Sequence, residues 1–311
     1  MSGILVIRGG AIGDFVLTLP AIALLREAFR GNRIEILGYE HIAALADNRF
    51  YADAVRSMEY GPLSGFFHPT SELDPELVSY FAGFSQVVSY LFDPDGFFEA
   101  NLRRAGVRNL IVGNPRIAGP RHAALQLAEP MERLALFLMD PAARLYPSTD
   151  DFAAVDRVVN PRRKTVVIHP GSGSPRKNWP VENWFAVVRS ILFERTDSEI
   201  LIVTGEADEI PRAAFTQYIR TDPRVRLLPA VSLPVLAAIL SRAACFLGHD
   251  SGISHIAAAV GCPCVLLFGP TDPAIWAPVG GHVHVIRREG NLAGIPPADV
   301  LSANPLRFKL A

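Results

Sequence analysis

Four uninterrupted apolar residues, Ile4-Leu5-Val6-Ile7, stop at Arg8-Gly9-Gly10, and a helically spaced stripe of Phe15, Leu19, Ile22, Leu25 and Phe29 follows. An apolar run without alternation is the pattern of a strand buried on both faces, as in a parallel sheet covered by helices. Gly31-Asn32 closes the helix and residues 33–39 read as the next strand. The first forty residues therefore spell β-loop-α-β, the repeating unit of a doubly wound α/β domain. Pro20 inside the stripe predicts a late start or a kink in a helix over 14–29. Strands are expected at 87–91 and 109–112, one strongly apolar helix at 123–139, and a loop at 60–75, which is rich in Gly, Pro, Phe and Ser.

The rhythm breaks at Tyr146-Pro147-Ser148-Thr149-Asp150-Asp151 and again at Asn160-Pro161-Arg162-Arg163-Lys164. This places a linker at 151–163, between an N-terminal domain of 1–150 and a second domain of 164–292. Residues 293–311 are expected as a C-terminal segment crossing back to the first domain. In the second domain, strands at 165–169, 200–204, 225–228, 245–248 and 264–268 alternate with helices at 181–194, 211–219, 232–241 and 253–260. Two such α/β domains with a cleft between them bind ligands beyond the carboxyl ends of their strands.

Composition narrows the function. Half of the 311 residues are hydrophobic, which excludes a disordered chain, and 30 basic against 31 acidic residues leave no global charge to attract nucleic acid. Only Lys164, Lys177 and Lys309 among the basic residues are lysines, so each is worth locating. Cys245, Cys262 and Cys264 form no disulfide framework. The Cys262-Pro263-Cys264 run reads as buried thiols rather than a metal site, in keeping with a reducing cytoplasm. With no basic leader and no run of about 18 apolar residues, the chain is expected to be cytoplasmic, soluble or peripheral to the membrane face.

The chemistry gathers at strand ends. Arg8-Gly9-Gly10-Ala11-Ile12-Gly13-Asp14 follows the first strand; Arg8 stands where a dinucleotide fingerprint needs glycine, and Asp14 would repel a pyrophosphate at the helix start. Asp14 is either a helix cap or a general base. His169-Pro170-Gly171-Ser172-Gly173-Ser174-Pro175-Arg176-Lys177-Asn178-Trp179-Pro180 combines small residues, hydroxyls and two cations suited to a diphosphate, without the P-loop pattern. Gly205-Glu206-Ala207-Asp208-Glu209 offers carboxylates for a ribose diol, or merely solvated charge. Gly248-His249-Asp250-Ser251-Gly252-Ile253-Ser254-His255 turns from a strand into a helix of small residues, where free N–H groups make an anion site. The plainer reading makes Asp250 the N-cap and His255 a satisfied histidine. Phe268-Gly269-Pro270-Thr271-Asp272-Pro273 ends the next strand.

Two further patterns lead elsewhere. Asp93-Pro94-Asp95-Gly96 has the D-x-D form of some metal-using sugar transferases but the composition of an ordinary turn. Ser251 falls one place too late for the nucleophile elbow of a serine hydrolase.

Taken together, Arg8-x-x-x-Ile12-Gly13-Asp14-x-x-x-Thr18-x-Pro20, the Gly-Ser-Gly-Ser…Lys177-x-Trp179-Pro180 loop, Asp250-Ser251-Gly252-x-x-His255-x-Ala257-Ala258 and Phe268-Gly269-Pro270-Thr271-Asp272-Pro273 resemble the ADP-heptose:lipopolysaccharide heptosyltransferases, glycosyltransferase family 9. The resemblance runs from residue 4 to about residue 279. It implies a GT-B fold of two Rossmann-like domains, the N-terminal one binding the acceptor and the C-terminal one a nucleotide-sugar. It implies that Asp14 is the catalytic base on an acceptor-side loop with Gly10 and Gly13. By the same resemblance Lys177, with Ser172 or Ser174, meets the donor diphosphate. Asp250, Ser251, Gly252 and His255 line the donor site, and Glu206 approaches the ribose. Neither metal nor cofactor is implied, only a nucleotide-sugar donor and a glycan or lipid-linked glycan acceptor.

Arg103-Arg104, Arg108, Arg116 and Arg121 are the nearest candidates to grip a phosphorylated acceptor. Competing readings are a GT-B transferase or sugar epimerase using another nucleotide-sugar, and a non-catalytic nucleotide-sugar-binding protein.

Overall fold

The computed structural model describes residues 3–205, 208–228, 230–288 and 290–303. The chain divides after Pro141 into two compact units.

The first unit is built on five parallel strands, β1 (Gly3–Arg8), β2 (Arg33–Gly38), β3 (Ala54–Ser57), β4 (Phe84–Ser89) and β5 (Leu110–Val112), in the order β3-β2-β1-β4-β5. β1 is buried along its whole length and pairs with β2 and β4, placing Ile7 beside Leu37 and Ser89. Helices α1 (Ile12–Ala28), α2 (Glu40–Ala43), α3 (Pro75–Ala82), α4 (Phe97–Arg104) and α5 (Ala123–Ala128) connect and cover the strands. Strand order reverses between β1 and β4, so the loop leaving β1 lies at the topological switch point, where open α/β sheets bind ligands.

Three local expectations change. α1 starts at Ile12, ahead of Asp14, and runs on through the buried Pro20. The long apolar helix expected at 123–139 stops at Ala128 and continues as a 3-10 stretch, Glu129–Leu134; Pro130 has no N–H to donate and its ring crowds the preceding turn. The expected loop at 60–75 contains the 3-10 helix Gly61–Phe67, because Leu63 and Phe66 are drawn into the core beside Phe81 and Phe98. Asp93 accepts the N–H groups of Phe98 and Glu99 at the start of α4, the work of a turn and cap residue.

The second unit carries six parallel strands, β6 (Lys164–Ile168), β7 (Ser198–Ile202), β8 (Val225–Leu227), β9 (Cys245–His249), β10 (Cys264–Phe268) and β11 (Val283–Arg287). Their order, β8-β7-β6-β9-β10-β11, is that of a dinucleotide-binding sheet, with its switch point between β6 and β9. Its helices are α6 (Thr149–Val155), α7 (Val181–Glu194), α8 (Glu209–Tyr218), α9 (Leu233–Arg242), α10 (Gly252–Ala259), α11 (Pro273–Trp276) and α12 (Pro297–Ser302). α7 shows why the sequence folds as it does: Trp184, Val187, Val188, Ile191 and Leu192 fall on one face and bury it against the sheet. The three cysteines are buried and free.

The residues around the expected linker belong with this unit. α6 packs on α9, Ser148 caps it, and Val155 is fully buried. At the other end, Leu292, Ile295, Val300 and Ala303 join the second core and α12 lies against α7. Residues 304–311 lie outside the described residues. Among the described residues, no helix is long and apolar enough to cross a membrane.

Candidate functional site

The first cluster surrounds the loop leaving β1. Asp14 is the third residue of α1, not its N-cap, which is Ala11. Its Oδ2 accepts the Ala11 N–H (2.9 Å), while Oδ1 stands 3.9 Å from Arg8 Nη2, with 37% of the side chain exposed. The cap and base readings thus fall on different oxygens of one carboxylate.

Gly10 has φ +94°, and a Cβ there would lie 2.9 Å from Asp14 Oδ2, so both the turn and the carboxylate require glycine. Gly13 is half-buried in the first turn of α1.

Arg8 is almost wholly buried. It donates from Nε to Thr18 Oγ1 (2.9 Å), from Nη2 to the Asp14 carbonyl (3.2 Å) and from Nη1 to the Tyr90 carbonyl (3.5 Å). Burial pulls its basicity down while Asp14 and Tyr90 pull it up; a guanidinium remains charged throughout. A fixed buried cation therefore stands behind the only partly exposed carboxylate.

The second cluster lies at the carboxyl ends of β6, β7 and β9. Lys177 Nζ donates to Asp250 Oδ2 (2.6 Å), which also accepts from Thr271 Oγ1 (2.7 Å). An ammonium has three protons, so two of Lys177's remain for another acceptor. Ser172 Oγ turns onto its own loop, toward Asn178 Oδ1 (2.6 Å) and the Ser174 carbonyl (2.8 Å). Among the described residues the Ser174 hydroxyl has no such bond. Ser251, not Asp250, is the N-cap of α10 and accepts the Ser254 N–H. Helix geometry leaves the Gly252 and Ile253 N–H groups without intrahelical acceptors. His255 is buried within α10. Glu206 lies outside the described residues.

Four further residues hold these loops together. His169 Nε2 donates to Asp208 Oδ2 (3.0 Å), and its Nδ1 lies 3.1 Å from Ser251 Oγ. Burial works against the charge of Asp208, but the bonds from His169 and the Gly205 N–H outweigh it and hold this carboxyl below its ordinary range. The Asp-His-Ser order is that of a hydrolytic relay. Here, however, the serine is buried and occupied as a helix cap, so the chain of bonds ties three loops together.

His249 is the second tie: its Nε2 accepts the Trp179 N–H (2.9 Å) and its Nδ1 donates to the Gly171 carbonyl (3.2 Å). Its ring meets Trp184 nearly edge-on. Thr271 is the last of the four. Each sits at a strand end that the sequence marks, but only tertiary pairing reveals its work.

Complete burial pushes His249 down to about 3. An unfolded chain binds its proton near pH 6.5, so between these values the unfolded state holds more protons and stability falls as the pH is lowered. The unfolding free energy from urea titrations should fall from pH 6.5 toward pH 4 by up to about 1.4 kcal/mol per pH unit from this group. A His249→Gln variant, less stable at neutral pH, should show a shallower slope; an equal slope would remove His249 as its source.

Two doubly wound units, each with its marked loops at the switch point of its sheet, have the make-up of the GT-B class of glycosyltransferase folds. The profile of glycosyltransferase family 9 (heptosyltransferase) matches residues 125–294, and the chain belongs to this family. Lipopolysaccharide heptosyltransferase 3 of Escherichia coli is 30% identical over 155 residues, covering 44% of this chain and 45% of that one, so the match spans less than half of that relative. The family 9 glycosyltransferase of Veillonella parvula superposes with a TM-score of 0.77 at 20% identity, over 97% of this chain and 95% of that one. The E. coli heptosyltransferase WaaC with ADP gives 0.72 at 18% identity, over 96% and 97%.

Proposed function

We propose that the chain is an inverting, metal-independent glycosyltransferase that moves a heptose from ADP-heptose to a hydroxyl of a lipopolysaccharide core or related glycan. The observation that carries this reading is the pairing of Lys177 with Asp250 beside the N-terminus of α10, at the switch point of the second sheet, in a chain of family 9. That set suits a diphosphate: a cation with spare protons and unpaired backbone donors. Adenine and heptose come from the relatives, one of which was solved with ADP and with ADP-2-deoxy-2-fluoro heptose.

In the proposed step the acceptor oxygen attacks the anomeric carbon and gives its proton to Asp14. The bond from that carbon to the diphosphate breaks with its electron pair, and ADP leaves from the opposite face. Lys177 and the α10 N–H groups take up the charge that develops on the departing phosphate. A carboxylate is a weak base toward a sugar hydroxyl, so the proton moves late, as the C–O bond forms. Arg8 holds the loop through its bond to the Asp14 carbonyl, with its guanidinium 3.9 Å from the carboxylate. A lipid-linked acceptor would bring the enzyme to the cytoplasmic membrane face as a peripheral protein.

Metal-free calorimetric titration with ADP, UDP, GDP and NAD tests the donor, followed by turnover of ADP-heptose. Selective ADP binding is expected; preference for UDP or GDP would discard heptose, and binding of none would discard the function. Lys177→Ala should weaken ADP binding by roughly 10- to 100-fold, because it removes a cation and leaves Asp250 unopposed near the phosphates. Unchanged affinity in this variant would move the diphosphate elsewhere.

A further inference from the structure

At the amino-terminal ends of β6, β7 and β8 the second unit contains a cavity of about 340 Å³. Four arginines line it: Arg157, Arg163, Arg224 and Arg226. The cavity lies one strand length from His169, roughly 16 Å along β6, so it is separate from the loops described above.

Its charge is unbalanced. Glu199 is the one carboxylate in the lining, and both its oxygens are engaged: Oε1 accepts from the Asn160 N–H and Thr165 Oγ1, and Oε2 from Arg226. Asp222, next to the lining residue Pro223, accepts three bonds from Arg224, through its backbone N–H, Nε and Nη2. Asp222 also feels the charge of Arg163, so two carboxylates face four arginines. Arg163 donates only to the Ser198 carbonyl, and the Arg157 guanidinium makes no hydrogen bond or ion pair among the described residues.

A guanidinium offers five N–H donors in a planar fork matched to phosphate oxygens. Arg157 and Arg163, neither hydrogen-bonded to a carboxylate, stand beside two forks held in place by ion pairs and leave the cavity with two more cations than carboxylates, which suits an anion. The volume exceeds what one water-sized ion fills, and no aromatic side chain lines the cavity to stack a base.

We propose that this cavity is a second ligand site for a phosphate-bearing anion of pyrophosphate or sugar-phosphate size. Such a group occurs free in solution or as a lipid headgroup, and the two sources are separable.

Inorganic pyrophosphate, titrated at low salt into the full chain carrying Lys177→Ala, probes this cavity with the other cation cluster weakened. Binding is expected, and adding Arg157→Glu should weaken it at least tenfold; Arg157→Gln should act in the same direction with a smaller effect. Because the Arg157 guanidinium makes no bond among the described residues, both variants should melt as the parent does. No pyrophosphate binding, or equal affinity in the Arg157 variants, would overturn the site. In flotation with phosphatidylglycerol vesicles, retention that pyrophosphate and Arg157→Glu both abolish assigns the site to a headgroup. Pyrophosphate binding without retention assigns it to a soluble phosphate ester.

Discussion

Replacing Asp14 by Asn is expected to lower sugar-transfer turnover by roughly 10²–10⁴ while nucleotide affinity stays within a few-fold. Asn keeps an oxygen that can accept the Ala11 N–H, so the start of α1 survives, as does the Arg8 bond to the backbone carbonyl of residue 14. What disappears is the basic oxygen facing Arg8. Asp14→Ala is a poorer test, since it also removes the acceptor for Ala11 and leaves the buried Arg8 without its nearby carboxylate. Steady-state rates with ADP-heptose and an acceptor, alongside ADP titration, separate the outcomes. Near-normal turnover in Asp14→Asn would reduce this residue to helix capping.

Gly171→Ala should have the largest effect on stability. A Cβ on residue 171 would stand 1.8 Å from Asp208 Oδ1 and 2.1 Å from its Cγ, an overlap that no rotamer adjustment of a methyl group can relieve. The carboxylate must move, breaking its bonds from His169 and the Gly205 N–H inside the protein. Breaking a buried pair of this kind costs roughly 3–5 kcal/mol, which corresponds to a melting temperature lower by roughly 10 °C for a unit of this size. The double variant Gly171→Ala/Asp208→Ala identifies the cause. If the clash is responsible, it should be little less stable than Asp208→Ala alone; full additivity would point to backbone strain at residue 171.

Repeating hydrophobic rhythm made much of the fold legible. The runs at 245–248 and 264–268 and the stripe at 181–194 match β9, β10 and α7 to within a residue, because burial on two faces or one stripe dictates composition directly. Legibility failed where local chemistry competes with periodicity. Pro130 cut an apolar helix, and Ser148 started α6 in a stretch that reads as a break. β11, with its half-exposed Val-His-Val-Ile-Arg, carried too little apolar signal to be seen at all.

The candidate site divides in the same way. Lys177, Asp250, Ser251 and Gly252 are marked by their place after a strand, and the structure gathers them at the carboxyl ends of β6 and β9. The roles of His169, Asp208 and His249 depend on partners 39 to 82 residues away, a separation that no sequence window reads.

His249 also bears on how tightly a ligand can be held. It grips the 171–179 segment at both ends, through a carbonyl at one and an N–H at the other. Ordering a free loop costs roughly 1–2 kcal/mol of backbone entropy per residue, and a flexible loop would meet that cost each time a ligand bound. Here the cost is met once, when the chain folds. Binding to this loop should therefore carry a small entropic penalty, leaving most of the contact energy to appear as affinity.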